Sequence, residues 1–548
     1  MQIERQHNTL TSILVLLGVA AITVFAYYPG MSAGFYFDDE PNLLEVTALH
    51  WNEFSWSNVS GALRDAHLTS RPVANTSMAL NHLASGLDPA PYHWTNLLIH
   101  LAVGFALFWV ITLFQRHHGP GSGNRNIAAL AVLLFLVHPL NIQATTYMVQ
   151  RMTSLATLFV LLGLGSYLSG RYQVDATRRW AWYLLTAICF LLAAGSKEIG
   201  LLLVPLLLLY ESCFNGTEWL TAYRRSVNQV GYPLVILGGF LLVFLVGWLG
   251  LAIAGDHLYW TETMPSRNFS GIERVLTQTR VQFFYLSLLL WPVPWRLSLD
   301  HDFVVSQSFL DPITTLLAFA VIAVTLVVAV RSIRTRPNVA FPVLAYLLLH
   351  SMEAGPVSLE LVYEHRMYLP MTMLALLIGL NLVPTTTKYA VSIYSVLLVA
   401  GFLLAVSTYQ RNLVWGDMMT FYRDTAQKSP GKFRPQYNLG TQLGERGELT
   451  EAKVALERAI RIRPDSSLAH NQLANIYLLT NQPQPAEDHY RLAVEYDSEN
   501  AEALFNLSNI LMSQGRSAEQ QETLERFIQV APPYLEEQKQ WALRQLGR

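Results

Sequence analysis

The run from Thr11 to Tyr28 contains no charged residue. It is long enough to cross a bilayer core of roughly 30 Å, which takes about 20 apolar residues. Comparable runs start near residues 95, 126, 142, 180, 199, 230, 313, 338, 367 and 389, so that eleven candidate spans precede residue 431. A chain with this pattern must fold as a bundle of membrane helices, because lipid offers a backbone amide no partner outside its own helix. The first run lacks the small-residue cleavage site of a signal peptide and reads as a retained span.

Charge divides the chain. Of 76 Asp, Glu, Lys and Arg residues, 47 lie in the first 430 positions and 29 in the remaining 118. The sequence therefore predicts an all-α protein in three parts: a polytopic membrane domain over 1–410 with outer loops at 29–94 and 255–312, a linker over 411–430, and a soluble domain over 431–548. The net charge of −2 and the lack of basic clustering exclude a nucleic-acid partner. Cys189 and Cys213 both sit in apolar runs and read as core thiols, not as a disulfide or metal framework.

An odd number of spans puts the two ends on opposite sides of the membrane. Arg5, Arg116, Arg125, Arg171, Arg178, Arg179, Arg224, Arg225, Arg331, Arg334, Arg336 and Lys388 fall in alternate connections. The positive-inside rule then makes the N-terminus cytoplasmic and the soluble domain external. Val281 to Trp295 is apolar but interrupted by Pro292 and Pro294, and reads as an interfacial or re-entrant helix beside a cavity.

The soluble part repeats. Leu439, Leu473 and Leu507 are spaced by 34 residues, as are Tyr437, Asn471 and Phe505, the pair Ala452 and Ala486, and the pair Ala459 and Ala493. This is the tetratricopeptide period of paired helices. Three repeats with a capping helix over Tyr534 to Leu546 are about the minimum that buries a continuous core. Such an array presents a concave surface suited to an extended polypeptide.

The polar residues of the membrane part gather in the connections assigned to the outer face. Asp38, Asp39 and Glu40 follow the first span, and Arg71-Pro72 leads on to Tyr92-His93-Trp94. Gln150-Arg151, Ser196-Lys197-Glu198, Asp300-His301-Asp302 and Glu364-His365-Arg366 complete the set. An unpaired charge in a membrane helix costs at least ~2.5–3.5 kcal/mol, so Arg151 and Arg366 require partners. These are either internal ion pairs, such as Lys197 with Glu198 and Arg366 with Glu364, or a lipid-linked phosphate gripped by the cations.

Acid and cation on one face suit glycosyl transfer from a lipid phosphate. Asp38 or Asp39 would take the acceptor's proton, while Arg71, Arg151, Lys197 or Arg366 would hold charge on the departing phosphate. A divalent cation stays open, with Asp39, Asp300, His301 and Asp302 as candidate ligands, although a lone Asp-His-Asp run has little metal specificity. A transporter would line a path through the membrane with ionisable groups instead of crowding one face. A non-catalytic scaffold would need no acid cluster at the first membrane exit.

Taken in order, these motifs resemble the transmembrane and tetratricopeptide-repeat-containing O-mannosyltransferases, and more closely their shorter bacterial relatives, within the GT-C glycosyltransferases. The resemblance runs from Phe37-Asp38-Asp39 through His138-Pro139 and Leu369-Pro370 to Arg411-Asn412 and Trp415. It implies a polyprenyl-phosphate sugar donor embedded in membrane lipid, a lumenal or periplasmic active site, and inversion at the anomeric carbon. It also implies a base on the first outer loop, at Asp38 or Asp39, with Arg71, His93, Arg151, Lys197, Glu198, His365 and Arg366 binding the donor. The acceptor would be a Ser or Thr hydroxyl of a protein held by the repeats. About three repeats instead of a long array point to a bacterial inner membrane, with the repeats in the periplasm.

Overall fold

The computed structural model describes residues 2–66, 68–119, 124–215, 263, 267–382 and 387–547. Among these the ordered elements are helices, with one isolated bridge between Thr263 and Ser270. Five helices are long and apolar enough to cross a membrane: Leu14–Ser32, Pro89–His118, Met148–Arg171, Thr314–Ser332 and Tyr389–Trp415. A bent pair, Arg125–Leu136 with Pro139–Thr145, adds a sixth if counted as one span. The predicted starts near 180, 199, 338 and 367 fall on the helices Ala176–Ala194, Leu203–Phe214, Pro337–Ser351 and Tyr368–Asn381, which are not among those five. The start near 230 lies outside the described residues.

The count of eleven is thus not reached by length and apolarity among the described residues, and the reason is local. Several apolar helices give way at one end to tight turns, Pro139–Asn141, Met148–Gln150, Glu198–Leu202 and Glu364–Met367. Those turns carry the polar motifs. The helix expected from Val281 starts earlier, at Gly271, because Ser270 and Glu273 close a reciprocal capping box on its first turn.

Tight packing in the membrane part depends on small residues: a Cβ at Gly165 would sit 2.5 Å from the Trp109 ring. The outward surface is apolar, with Leu317, Val321 and Val324 exposed on Thr314–Ser332, and Phe402 and Leu403 on Tyr389–Trp415. In water such faces would be costly; in lipid they are not. The protein is an integral membrane protein.

The chain forms two compact units, residues 1–299 with 303–418, and 300–302 with 419–548. The second unit contains the helix pairs Phe433–Glu445 with Leu449–Ile462, Ser467–Leu479 with Pro483–Tyr496, and Ala501–Ser513 with Ser517–Val530, closed by Glu536–Gln545. Ala452, Ala459, Ala486 and Ala493 are fully buried, where a larger side chain would hold the paired helices apart. The stretch 411–430, where the sequence suggests a linker, is helical. It comprises the end of the helix Thr387–Trp415 and a further helix, Met418–Lys428, whose Met419 packs into the core of the first repeat with Leu443 and Leu456.

Candidate active site

The first helix ends at Tyr27, and the proline of Tyr28–Ser32 helps turn the chain into an irregular loop. Within that loop Phe37 has a φ of +48°, a region that a bulky residue avoids at a cost of about 1–3 kcal/mol. The surrounding bonds hold it there. The Asp38 amide donates to the Tyr147 hydroxyl at 2.7 Å, and the Tyr36 hydroxyl donates to the Trp415 carbonyl at 2.7 Å. Asp39 accepts the Tyr36 amide on Oδ2 at 2.9 Å and the Val149 amide on Oδ1 at 2.8 Å. Asp39 is completely buried with both oxygens occupied, whereas Asp38 is partly exposed. The first acid of the pair is the more exposed, and the second pins the loop.

Burial pushes the Asp39 carboxyl from its ordinary 3.8 up to about 8, helped by the nearby Asp38 charge and opposed by the two amides. Folding therefore favours its neutral form. Between about pH 4 and pH 8 the unfolded chain loses this proton while the folded chain keeps it, so the stability owed to Asp39 falls as pH rises and levels off above 8. Thermal melts of the full chain and of Asp39→Asn should show a stability difference that declines from pH 5 to pH 8. A difference independent of pH would rule out a protonated Asp39.

The cations lie on neighbouring turns. Gly200 rests against the backbone of Ala193, an approach that no Cβ would permit, and this folds the turn after Ala176–Ala194 back on the helix end. Lys197 and Glu198 consequently point to different partners. Lys197 Nζ lies 2.6 Å from Glu353 Oε1 and donates to the Thr153 hydroxyl at 3.1 Å. Glu198 receives Arg71 through Nε at 3.1 Å and Nη2 at 3.0 Å, a bidentate grip, and Ser70 Oγ at 2.7 Å. The predicted pairing of Lys197 with Glu198 is replaced by these two pairs.

Arg366 is 4% exposed and donates through Nη1 to the carbonyls of Glu360 at 2.6 Å and Leu361 at 3.2 Å, with its guanidinium over the Tyr363 ring. It makes no ion pair with a carboxylate among the described residues, Glu364 included, and its Nε and Nη2 donate to none of them. Glu364 accepts the Ser298 amide at 2.8 Å instead. His365 lies 3.3 Å from Gln143 Oε1 through both its amide and Nδ1. Burial, with Lys197, Arg366 and Arg71 nearby, holds this imidazole well below its ordinary value, so it is neutral.

Two predicted donor ligands are bonded to groups within the fold. Arg151 is fully buried and donates to neutral acceptors alone: Asn96 Oδ1 at 2.6 Å, the Ser77 carbonyl at 3.0 Å, the Tyr92 carbonyl at 3.1 Å, and Asn81. His93 is also fully buried and meets the Ala33 carbonyl at 2.9 Å through Nε2, which anchors the start of the acid loop.

Acid and cations converge on one short segment. Asp39 bonds the Val149 amide, Arg71 reaches the Met152 sulfur, and Lys197 bonds the Thr153 hydroxyl. Val149 lies in the turn Met148–Gln150, and Met152 and Thr153 lie in the first turn of the helix that follows it, Arg151–Arg171.

Glu353, Arg274 and Gln143 were not among the sequence candidates. Glu353 carried a legible signal, being an ionisable residue just after an apolar run; Arg274, among polar neighbours, and Gln143 carried none. The candidate metal residues are divided between the units. Asp39 lies in the first, while Asp302 receives the Gly431 amide at 3.1 Å and Asp300 lies 3.7 Å from Lys432 in the second. Among the described residues no group of three or more His, Cys, Asp and Glu side chains is placed to hold a metal ion.

Comparison with known proteins agrees with both units. The tetratricopeptide repeat family matches residues 468–500 and 501–534. The human protein O-mannosyl-transferase TMTC3 is 24% identical over 514 residues, covering 87% of this chain and 54% of that protein. Mouse protein O-mannosyl-transferase TMTC2 is 28% identical over 302 residues, 51% of this chain and 34% of that one. The chain spans about half the length of the curated TMTC3 relatives it matches, human and mouse. Among solved structures, ArnT from Cupriavidus metallidurans in the apo state is similar at a TM-score of 0.41 and 13% identity, covering 92% of this chain and 81% of that one. Over most of its length the chain is similar to the protein O-mannosyl-transferases.

Proposed function

We propose that this chain is a GT-C-type membrane glycosyltransferase that moves a sugar from a polyprenyl-phosphate donor to a Ser or Thr hydroxyl of a protein. The observation that carries the reading is the convergence of the acid loop and two buried or half-buried cations on residues 149–153. Inverting transfer needs a base on one side of the anomeric carbon and charge stabilisation for the departing phosphate on the other. Asp38, the more exposed acid, takes the acceptor proton; Asp39 holds the strained loop in register. Arg366, Arg71 and Lys197 receive the phosphate, and Arg366 brings two nitrogens that no described residue uses. Direct displacement across this gap inverts the anomeric configuration.

The reaction is assigned to the outer face of a bacterial inner membrane, with the N-terminus in the cytoplasm and the repeats in the periplasm beside the acceptor. The names of the relatives make mannose the first sugar to test. The full chain in lipid nanodiscs, given polyprenyl-phosphate mannose and a Ser/Thr-rich protein, should raise the acceptor's intact mass by one hexose per modified site. An acceptor mass unchanged across several lipid-linked sugars would overturn the assignment.

A further inference from the structure

The charges around the proposed phosphate site do not balance. Arg71, Lys197, Arg274 and Arg366 face two carboxylates, Glu198 and Glu353, while Glu360 is taken by Arg267 at 2.7 Å. The surplus is two positive charges. A lipid phosphodiester brings one negative charge, and the lipid monophosphate it leaves behind brings up to two, its second ionisation lying near pH 6. The surplus therefore matches the leaving group better than the donor, which is the preference that lowers a barrier.

Glu353 is placed to regulate that match. Its carboxylate is buried against the Lys197 ammonium at 2.6 Å. It follows Pro337–Ser351 in a loop whose carbonyls at 353, 355 and 359 are gathered by the Arg274 guanidinium, so its backbone is held beside Lys197. Although burial pushes it up, Lys197 and Arg366 together hold the Glu353 carboxyl below its ordinary value, and it is ionised. Lys197 can give a phosphate its full charge only by loosening this bond. Resting on the functional reading above, we infer that Glu353 is a positioning residue that competes with the lipid phosphate for Lys197, moderating capture of the donor and speeding release of the spent lipid phosphate.

The competition has a sign that a merely structural ion pair lacks. Breaking a structural pair weakens the site, whereas removing a competitor strengthens phosphate binding. Binding of a polyprenyl monophosphate to the full chain in nanodiscs should be about tenfold tighter in Glu353→Gln than in wild type, the lower range for one charge-assisted hydrogen bond. Turnover at saturating donor should fall as release slows. Glu353→Asp, which keeps the charge but shortens the reach, should tighten binding less and serves if the glutamine variant does not fold. In a Lys197→Met background neither change should tighten binding. Equal or weaker binding in both Glu353 variants, or tightening that persists without Lys197, overturns the inference. Wild-type protein that binds no lipid phosphate overturns instead the functional reading on which it rests.

Discussion

Replacing Asp38 by asparagine should lower sugar transfer by about 10²–10⁴-fold, the usual contribution of a positioned general base. The amide matches the carboxylate in volume but cannot accept the hydroxyl proton. The substitution leaves in place the bonds of the Asp38 backbone amide to Tyr147 and of both Asp39 oxygens to Tyr36 and Val149, which hold the loop. Melting temperature and donor affinity should therefore stay close to wild type while turnover collapses. Asp39→Asn should behave differently. Its side-chain nitrogen would face one of two amide donors and release the strained Phe37 turn, so stability and turnover should fall together. Turnover of Asp38→Asn within about threefold of wild type would transfer the base to another group.

The two acids show how far the sequence could be read. Asp38-Asp39 at the first membrane exit was legible as a candidate site, because three consecutive acids there have no structural use that composition suggests. Which of the two stays exposed was not legible: it depends on the backbone of Phe37 and on an amide at Val149, 110 residues away in the chain. The repeats were legible almost to the residue, since each pair packs on its sequence neighbours and periodicity reports the packing directly. The limits of the membrane helices were less so. Hydropathy averages over the turns at 139–141, 148–150, 198–202 and 364–367, and these are the places where the polar side chains are aimed.

Ion pairing was legible only as a need. Lys197 and Arg366 had to have partners, and the adjacent acids Glu198 and Glu364 were the economical choice. Adjacent residues in a tight turn diverge, however, so Lys197 finds Glu353 and Glu198 finds Arg71 across the fold. Arg366 finds two carbonyls and a ring. Sequence proximity is a poor guide to contact wherever the helix gives way to a turn.

Arg151 and Arg366 look alike in sequence, each a lone cation in an apolar run, and their environments predict opposite phenotypes. Arg366→Ala should weaken polyprenyl-phosphate binding by about 10–100-fold, since charge-assisted hydrogen bonds are worth roughly 1.5–3 kcal/mol each and its Nε and Nη2 engage no described residue. Its effect on melting temperature should be small, because both carbonyls keep another donor, Arg274 Nη2 for Glu360 and Gln278 Nε2 for Leu361. Arg151→Ala should do the reverse. It leaves the side-chain oxygens of Asn96 and Asn81 without their donor inside the fold, at about 1–3 kcal/mol for each acceptor left unpaired, and strips a second donor from the helix carbonyls of Ser77 and Tyr92. The protein should melt early or fail to accumulate, while any folded fraction should bind lipid phosphate normally. Donor binding and thermal melts measured on both variants in the same nanodiscs decide the matter. Loss of phosphate affinity in folded Arg151→Ala would return that arginine to the donor site, and undiminished affinity in Arg366→Ala would remove Arg366 from it.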